Sequence, residues 1–378
     1  MTSGARARSL LHSSTGLVLI AVLASCVQNV RPIDLSVAAA YRPKPVFFVT
    51  DRNDSGATNL NKRFGHQRAE VQYGLSRVAI PKGYPKAHEA PFVHWNLALK
   101  RNPAKYIALL DIERLDDARF FAQLNNQLLA SPTQDALVFI HGYNVTFERA
   151  SRITAKLAYD LNLAGPAISY SWPSAAKVAQ YAVDEANLSW SIPHLKSLLQ
   201  RLFAETDVQR LYMVAHSLGT QALTAALIDD LAEHPEHRAR IGGIVLAAPD
   251  MDAEVFRRDI APQLTAHRLP ITLYVSSKDF ALGASQTLHG HPRAGQAGAA
   301  IVVVDGIDTI DASNAEAELF GHEYFSQGAQ TIADMSQWLR FAIPPDRRAG
   351  LTAVSHPVGT YWQMVEPDPD APKGLAAQ

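Results

Sequence analysis

The stretch YMVAHSLGTQALTAAL, residues 212–227, changes period in mid-course. Tyr212–His216 reads as an apolar strand, and from Leu218 onward the apolar residues fall at helical spacing. Ser217 stands at the junction, with Ala215 two residues before it and Gly219 two residues after. A serine on a sharp strand-to-helix turn is the setting of an exposed nucleophile, whose usual pattern is G-x-S-x-G. The turn wants little side chain on either flank, and alanine at 215 adds one methyl group to that pattern. The plainer role for such a serine is N-cap of the following helix. The strand before it and the small residues around it favour the nucleophile.

Outward from this turn the chain alternates. Strands are expected over DALVFIHG (135–142), AISYSW (167–172), RLYMVAHS, IGGIVLAAPD (241–250), PITLYVSSKD and AIVVVDG (300–306). Between them run amphipathic segments with helical spacing, including TFERASRITAKLAYDLNL, a helix opened through Pro193 in WSIPHLKSLLQRLFAE, and a closing helix that ends at Pro344-Pro345. Strands that are apolar throughout, separated by helices, predict an α/β fold: a mostly parallel central sheet with helices on both faces. Ligands in such sheets bind beyond the carboxyl ends of the strands. Upstream, KPVFFVT (44–50), QYGLSRVAIP (72–81) and KYIALLDIERL (105–115) read as edge strands joined to the same sheet.

The ordered set FFVTDRN, YGLSRVAIP, FIHGYNVTFERA, YSWPS, VAHSLGT, AAPDMD, SSKDFAL and GHEYF resembles the α/β-hydrolase superfamily, and within it a poorly characterised bacterial esterase/lipase branch. Several lipases and esterases of that superfamily are similar in carrying A-x-S-x-G. The resemblance spans most of the chain after residue 44, and implies the fold, a Ser-His-Asp triad and hydrolase activity without a cofactor.

In that fold the order is serine, acid, histidine. Asp279 follows a strong strand run and is the expected acid; His322 in FGHEYF, after the last strand, is the expected base. Asp250 in AAPDMD is the rival acid, although helix capping accounts for Asp250 and Asp252 equally well. His289 and His291 precede the last expected strand, the wrong topological place for the base. A serine hydroxyl needs a base to take its proton, so His322 is assigned that step, and Asp279 holds the imidazole tautomer. The backbone N–H groups of Leu218 and Tyr143 are the expected oxyanion donors, with Asn144 the next choice after Tyr143. His141 is expected to hold its loop, and Asn144 and Trp172 to line the substrate pocket, with core packing the plainer alternative for Trp172.

Composition narrows the partners. Across 378 residues, 35 Lys+Arg oppose 36 Asp+Glu, giving a formal charge of -1 and no basic field for nucleic acid. The single cysteine, Cys26, removes internal disulfides and cysteine zinc sites. It closes a short segment in which Arg6 and Arg8 precede an apolar run from Gly16 to Ala24. That run is about half the ~20 residues a membrane-spanning helix needs and reads as an export signal. Leu23-Ala24-Ser25-Cys26 resembles the bacterial lipobox, which implies cleavage before Cys26 and lipidation of it. Val27 in place of aspartate implies, by resemblance to Gram-negative sorting, the outer membrane facing the periplasm. Fourteen histidines are present, but no H-E-x-x-H, and no G-x-x-x-x-G-K-[ST] or G-x-G-x-x-G, so neither metal nor nucleotide cofactor is expected; HPEHR (234–238) reads as a solvated helix end.

The expected organisation is a lipoprotein signal (1–25), a tether (26–43), the hydrolase domain (44–343) and a Pro-rich, extended tail (344–378) in which TYWQM (360–364) could dock. The expected reaction is hydrolysis of a small carboxylic ester through an acyl-enzyme. An amidase or peptidase could use the same triad, and a non-catalytic envelope lipoprotein could keep the fold as a binding module. No long apolar lid is evident in the sequence.

Overall fold

A computed structural model describes residues 40–84, 102–315, 326 and 328–366. The signal segment, Cys26, most of the tether and His322 lie outside the described residues. The chain from Tyr41 onward forms one unit.

Eleven strands of the described residues form one sheet, ordered β10-β11-β9-β8-β7-β6-β4-β5-β1-β2-β3. They are β1 (Tyr41–Asp54), β2 (Phe64–Pro81), β3 (Ala108–Leu115), β4 (Asp135–Ile140), β5 (Ala167–Ser171), β6 (Arg210–His216), β7 (Ile241–Ala247), β8 (Ile271–Val275), β9 (Asp308–Asp311), β10 (Leu351–His356) and β11 (Gly359–Met364). The run from β1 through β5, β4, β6, β7, β8 and β9 to β11 is parallel throughout. The central strands are buried on both faces, as their unbroken apolar sequences require: β4 and β5 have no exposed residue. Helices α1 (Asp117–Leu129), α2 (Phe147–Asp160), α3 (Tyr181–Glu205), α4 (Gly219–Glu233), α5 (Phe280–His289) and α6 (Ala329–Phe341) flank the sheet. A segment that passes from α-helix (Ala253–Val255) through a π turn (Phe256–Ile260) back to α-helix (Ala261–Thr265) joins β7 to β8. Among the described residues, no helix is long and apolar enough to cross a membrane.

The edge strands expected over 44–115 are present: β2 pairs with β1 and β3 with β2, both antiparallel. Three expectations change. The AIVVVDG run is a loop whose Ile301, Val302 and Val303 are buried; the strand comes later, at Asp308–Asp311. Apolar burial drove that expectation, and burial does not require a ladder. Helix α3 starts at Tyr181, twelve residues before the internal Pro193, and its turns ahead of the proline bury Asp184, Asn187, Leu188 and Ser191. The tail does not simply lie extended on the surface: it supplies β10 and β11, and the TYWQM segment docks as part of β11. Trp362 and Gln363 pair with Ile310 and Asp311, and Met364 is buried beside Ile310 and Trp338. Arg348, itself buried, donates to Asp334 at 3.2 Å and to the Ile343 carbonyl at 2.9 Å. A single strand edge needs a partner, and this hairpin covers the β9 edge.

Candidate active site

The strand order reverses direction at β4, which β5 joins on one side and β6 on the other. The carboxyl ends of β4 and β6 meet there, and this is where a doubly wound sheet opens a crevice. β6 delivers Ser217, and β4 delivers the His141–Asn144 loop.

Ser217 has φ 53°, a left-handed conformation uncommon for a residue with a side chain. The turn is held by its neighbours: the Ser217 N–H donates to the Ala247 carbonyl at 3.0 Å, and the Ser217 carbonyl accepts from Thr220 N–H at 3.1 Å and Thr220 Oγ1 at 2.6 Å. Strain of this kind persists only where surroundings over-determine it. Glycine at 219 is obligatory for space, since a Cβ there would lie 2.4 Å from the His141 carbonyl oxygen. Gly142 is likewise pressed on the serine; its Cβ would lie 2.7 Å from the Ser217 Cβ. The Ala215 methyl is fully buried in the apolar core with Met213 and Leu246. The extra carbon at the variant position therefore packs into the core.

Leu218, next after the serine, is the N-cap of α4 and carries no side-chain cap. First-turn N–H groups of a helix lack intrahelical acceptors and suit a developing anion. The facing donor comes from a loop set by buried charge. Arg52 is 1 % exposed, and its guanidinium donates to Ser171 Oγ (2.9 Å), the carbonyls of Gly65, Ser174 (3.0 Å each) and Val145 (2.7 Å), and His141 Nε2 (3.3 Å). Burial lowers its pKa to about 10, opposed by Asp51 and Asp184, so it stays charged at neutral pH. A guanidinium donating to His141 Nε2 makes that nitrogen an acceptor and leaves the ring proton on Nδ1. Nδ1–H then donates to the Gly142 carbonyl at 2.8 Å. Burial, reinforced by Arg52, holds the His141 pKa well below the ordinary histidine value. Since a peptide is planar with N–H opposite C=O, pinning the Gly142 carbonyl also sets the direction of the Tyr143 N–H. His141 thus has the loop-holding role read from sequence.

Two expected pocket residues are placed differently. Trp172 is fully buried, stacks on His141 at 4.9 Å and 16°, and donates from Nε1 to the His141 carbonyl at 2.7 Å. It supports the loop from below, because an indole with a satisfied N–H belongs in a core. Asn144 takes φ 59°, and its N–H faces Asp184 Oδ2 at 3.3 Å, which occupies the second-choice oxyanion donor. Asp184 also accepts from Ser174 Oγ (2.5 Å) and Ala175 N–H (2.6 Å). Burial raises its pKa, against those hydrogen bonds.

The carboxylates separate cleanly. Asp250 receives Tyr181 Oη (2.7 Å), Ser285 Oγ (2.6 Å) and buried Arg293 Nε (2.7 Å), so it is committed to a structural knot. Asp252 caps the Glu254 and Val255 N–H groups. Asp279, 5 % exposed at the end of the β8 loop, is the N-cap of α5, with Oδ1 taking the Leu282 N–H at 3.0 Å. The capping read for Asp250 therefore falls on Asp279 as well as Asp252. Neither Arg52 nor Asp184 was singled out in the sequence; the only signal was Arg52's place in FFVTDRN. Of the described residues, His234, Glu236 and His237 bring potential metal-ligand atoms within 4.8 Å of one another. They sit past the far end of α4, roughly 20 Å along the helix from its first residue, and belong to a different face of the molecule.

A parallel sheet with its switch point at β4, a left-handed serine between strand and helix, and a facing glycine loop define the α/β-hydrolase class. Residues 116–337 match the family described as "Alpha/beta hydrolase of unknown function (DUF900)", and the chain belongs to that family. No curated protein matches it. Among solved structures, it is similar to the "predicted CIB-like hydrolase" from Thermoplasma acidophilum, at 13% identity and TM-score 0.35 over 80% of this chain and 99% of that one. It is also similar to a "Lipase-esterase related protein" from Clostridium acetobutylicum, at 9% identity and TM-score 0.32 over 55% and 94%. Neither likeness is close enough to speak to a substrate.

Proposed function

We propose that the protein is a serine hydrolase that cleaves carboxylic esters. The observation that carries this reading is Ser217 itself, held at φ 53° between β6 and α4 with Gly142 pressed against its Cβ. Its Oγ attacks the ester carbonyl carbon while His322 accepts the hydroxyl proton. The oxyanion is met by the Leu218 and Tyr143 N–H groups. Collapse breaks the carbonyl–alkoxy bond, His322 protonates the departing alcohol, and an acyl-Ser217 ester remains. Water, deprotonated by His322, then releases the acid and restores the serine. Asp279 orients His322, whose assignment rests on its place in the sequence. The same reading places the enzyme on the periplasmic face of the outer membrane, attached through lipidated Cys26.

Fluorophosphonate labelling and p-nitrophenyl ester hydrolysis test the reaction, using wild type, Ser217→Ala and His322→Ala. Wild type alone should label, and hydrolysis should fall on the order of 10⁴-fold or more in each variant. A folded wild type that neither labels nor hydrolyses any ester would refute it.

A further inference from the structure

A groove of about 510 Å³ runs along α4. Gln221, Thr224, Ala225 and Ile228 line it, and their spacing puts them on one helical face. Gln221 lies in the first turn of the helix, two residues after its start at Gly219. The opposite wall includes Met251 and Asp252, and this wall is tied to the serine's own peptide. Asp250 N–H donates to the Ser217 carbonyl at 3.4 Å, and Gln221 Nε2 donates to the Asp250 carbonyl. These bonds set the near end of the groove, at Gln221, next to the Ser217 main chain.

Its floor is aliphatic, with Ala225, Ile228, Val255 and Ile260. Its net charge is negative, with three carboxylates to one arginine, and Glu185 faces His289 Nε2 at 3.1 Å. Glu185, Asp229 and Asp252 contribute carboxylates, and the basic lining residue, Arg293, is buried and bound to Asp250 at 2.7 Å. Asp229 is exposed at the end remote from Ser217. From Gln221 to Asp229 the helix rises roughly 12 Å, about the span of an extended ten-atom chain.

We propose that this groove is the acyl-chain site, and that it selects an aliphatic chain bearing a positive charge at its far end. The assignment rests on Ser217 as nucleophile. Apolar floor and acidic far end together discriminate: the first takes methylenes, and the second attracts an ammonium and repels a carboxylate.

The test uses p-nitrophenyl esters of acetic, octanoic and 8-aminooctanoic acids and the half-ester of octanedioic acid. Each kcat/KM is divided by the same protein's value on the acetate. Wild type should rank amino above octanoyl above carboxy. Asp229→Asn should lower the amino-to-octanoyl ratio about threefold, the size expected of one exposed charge pair. Ala225→Phe, which fills the floor, should lower all three long-chain ratios. A wild type that hydrolyses acetate but prefers the carboxy ester, or ranks all three alike, overturns the groove assignment and leaves Ser217 standing. Unchanged ratios in both variants do the same. A wild type that hydrolyses no ester, acetate included, removes the nucleophile reading and the groove assignment with it.

Discussion

The two ends of the parallel strands are tied by different kinds of buried charge. At the carboxyl end, around Ser217, the loops are tied by charges taken out of water: Arg52, His141, Asp184 and the Asp250–Arg293 pair are all buried. At the amino end buried carboxylates take less buried basic partners, as Asp230 does with His237 and Asp160 with Lys156. Arg210, half exposed, forks onto Asp135 at 2.9 and 3.0 Å, and Arg240 caps the Phe203, Thr206 and Val208 carbonyls. Burying a charge is costly unless every donor is met. Arg52, whose guanidinium meets five partners, is the most heavily tied of the buried charges, and it stands at the end that carries the serine.

Removing a charge at each end breaks or sharpens the contrast most directly. Arg52→Met strands the Val145, Ser174 and Gly65 carbonyls and should cost about 3–5 kcal/mol. Arg210→Met should cost below about 1 kcal/mol. Calorimetric unfolding of both checks this, and equal losses would erase the distinction. Glycines at the two ends separate function from stability. Gly142→Ala drives a methyl against Ser217 and should reduce kcat/KM about a hundredfold, as a misplaced oxyanion donor does. Gly165→Ala, whose Cβ would lie against the Asp135 carbonyl, should cost roughly 1–3 kcal/mol of stability and spare the turnover of the folded fraction.

The smallest effect is in pH. His141 binds its proton less readily folded than unfolded. The stability it lends is complete above the unfolded pKa, near 6.5, and is lost as pH falls below that value. Between about pH 6.5 and 5, wild type should lose up to roughly 1.4 kcal/mol per pH unit relative to His141→Gln. Parallel stability curves for the two proteins would show that His141 is protonated as easily folded as unfolded.

The parallel core and the strand-to-helix turn at Ser217 were legible because they are local. Unbroken apolar runs mark β4 to β8, and S-x-G after a strand marks the turn whatever surrounds it. Of the hairpin at 351–364 only the docking of TYWQM was legible, because its strands are polar on the outer face and exist only against β9. AIVVVDG misled for the converse reason: it is buried as a strand would be, yet forms no ladder.

The sequence by itself determined the layer order, the place of Ser217 and the small residues that let the chain turn there. Only the tertiary structure decided how that turn is held. Arg52 reaches His141, Val145 and Ser174 across 89 to 122 residues of chain, and Asp250, read as a rival acid, is claimed by Tyr181, Ser285 and Arg293. A period shows in any short window of residues. A buried charge acquires its role from partners that no local window contains, since its energy depends on which donors and acceptors the fold brings within about 3 Å.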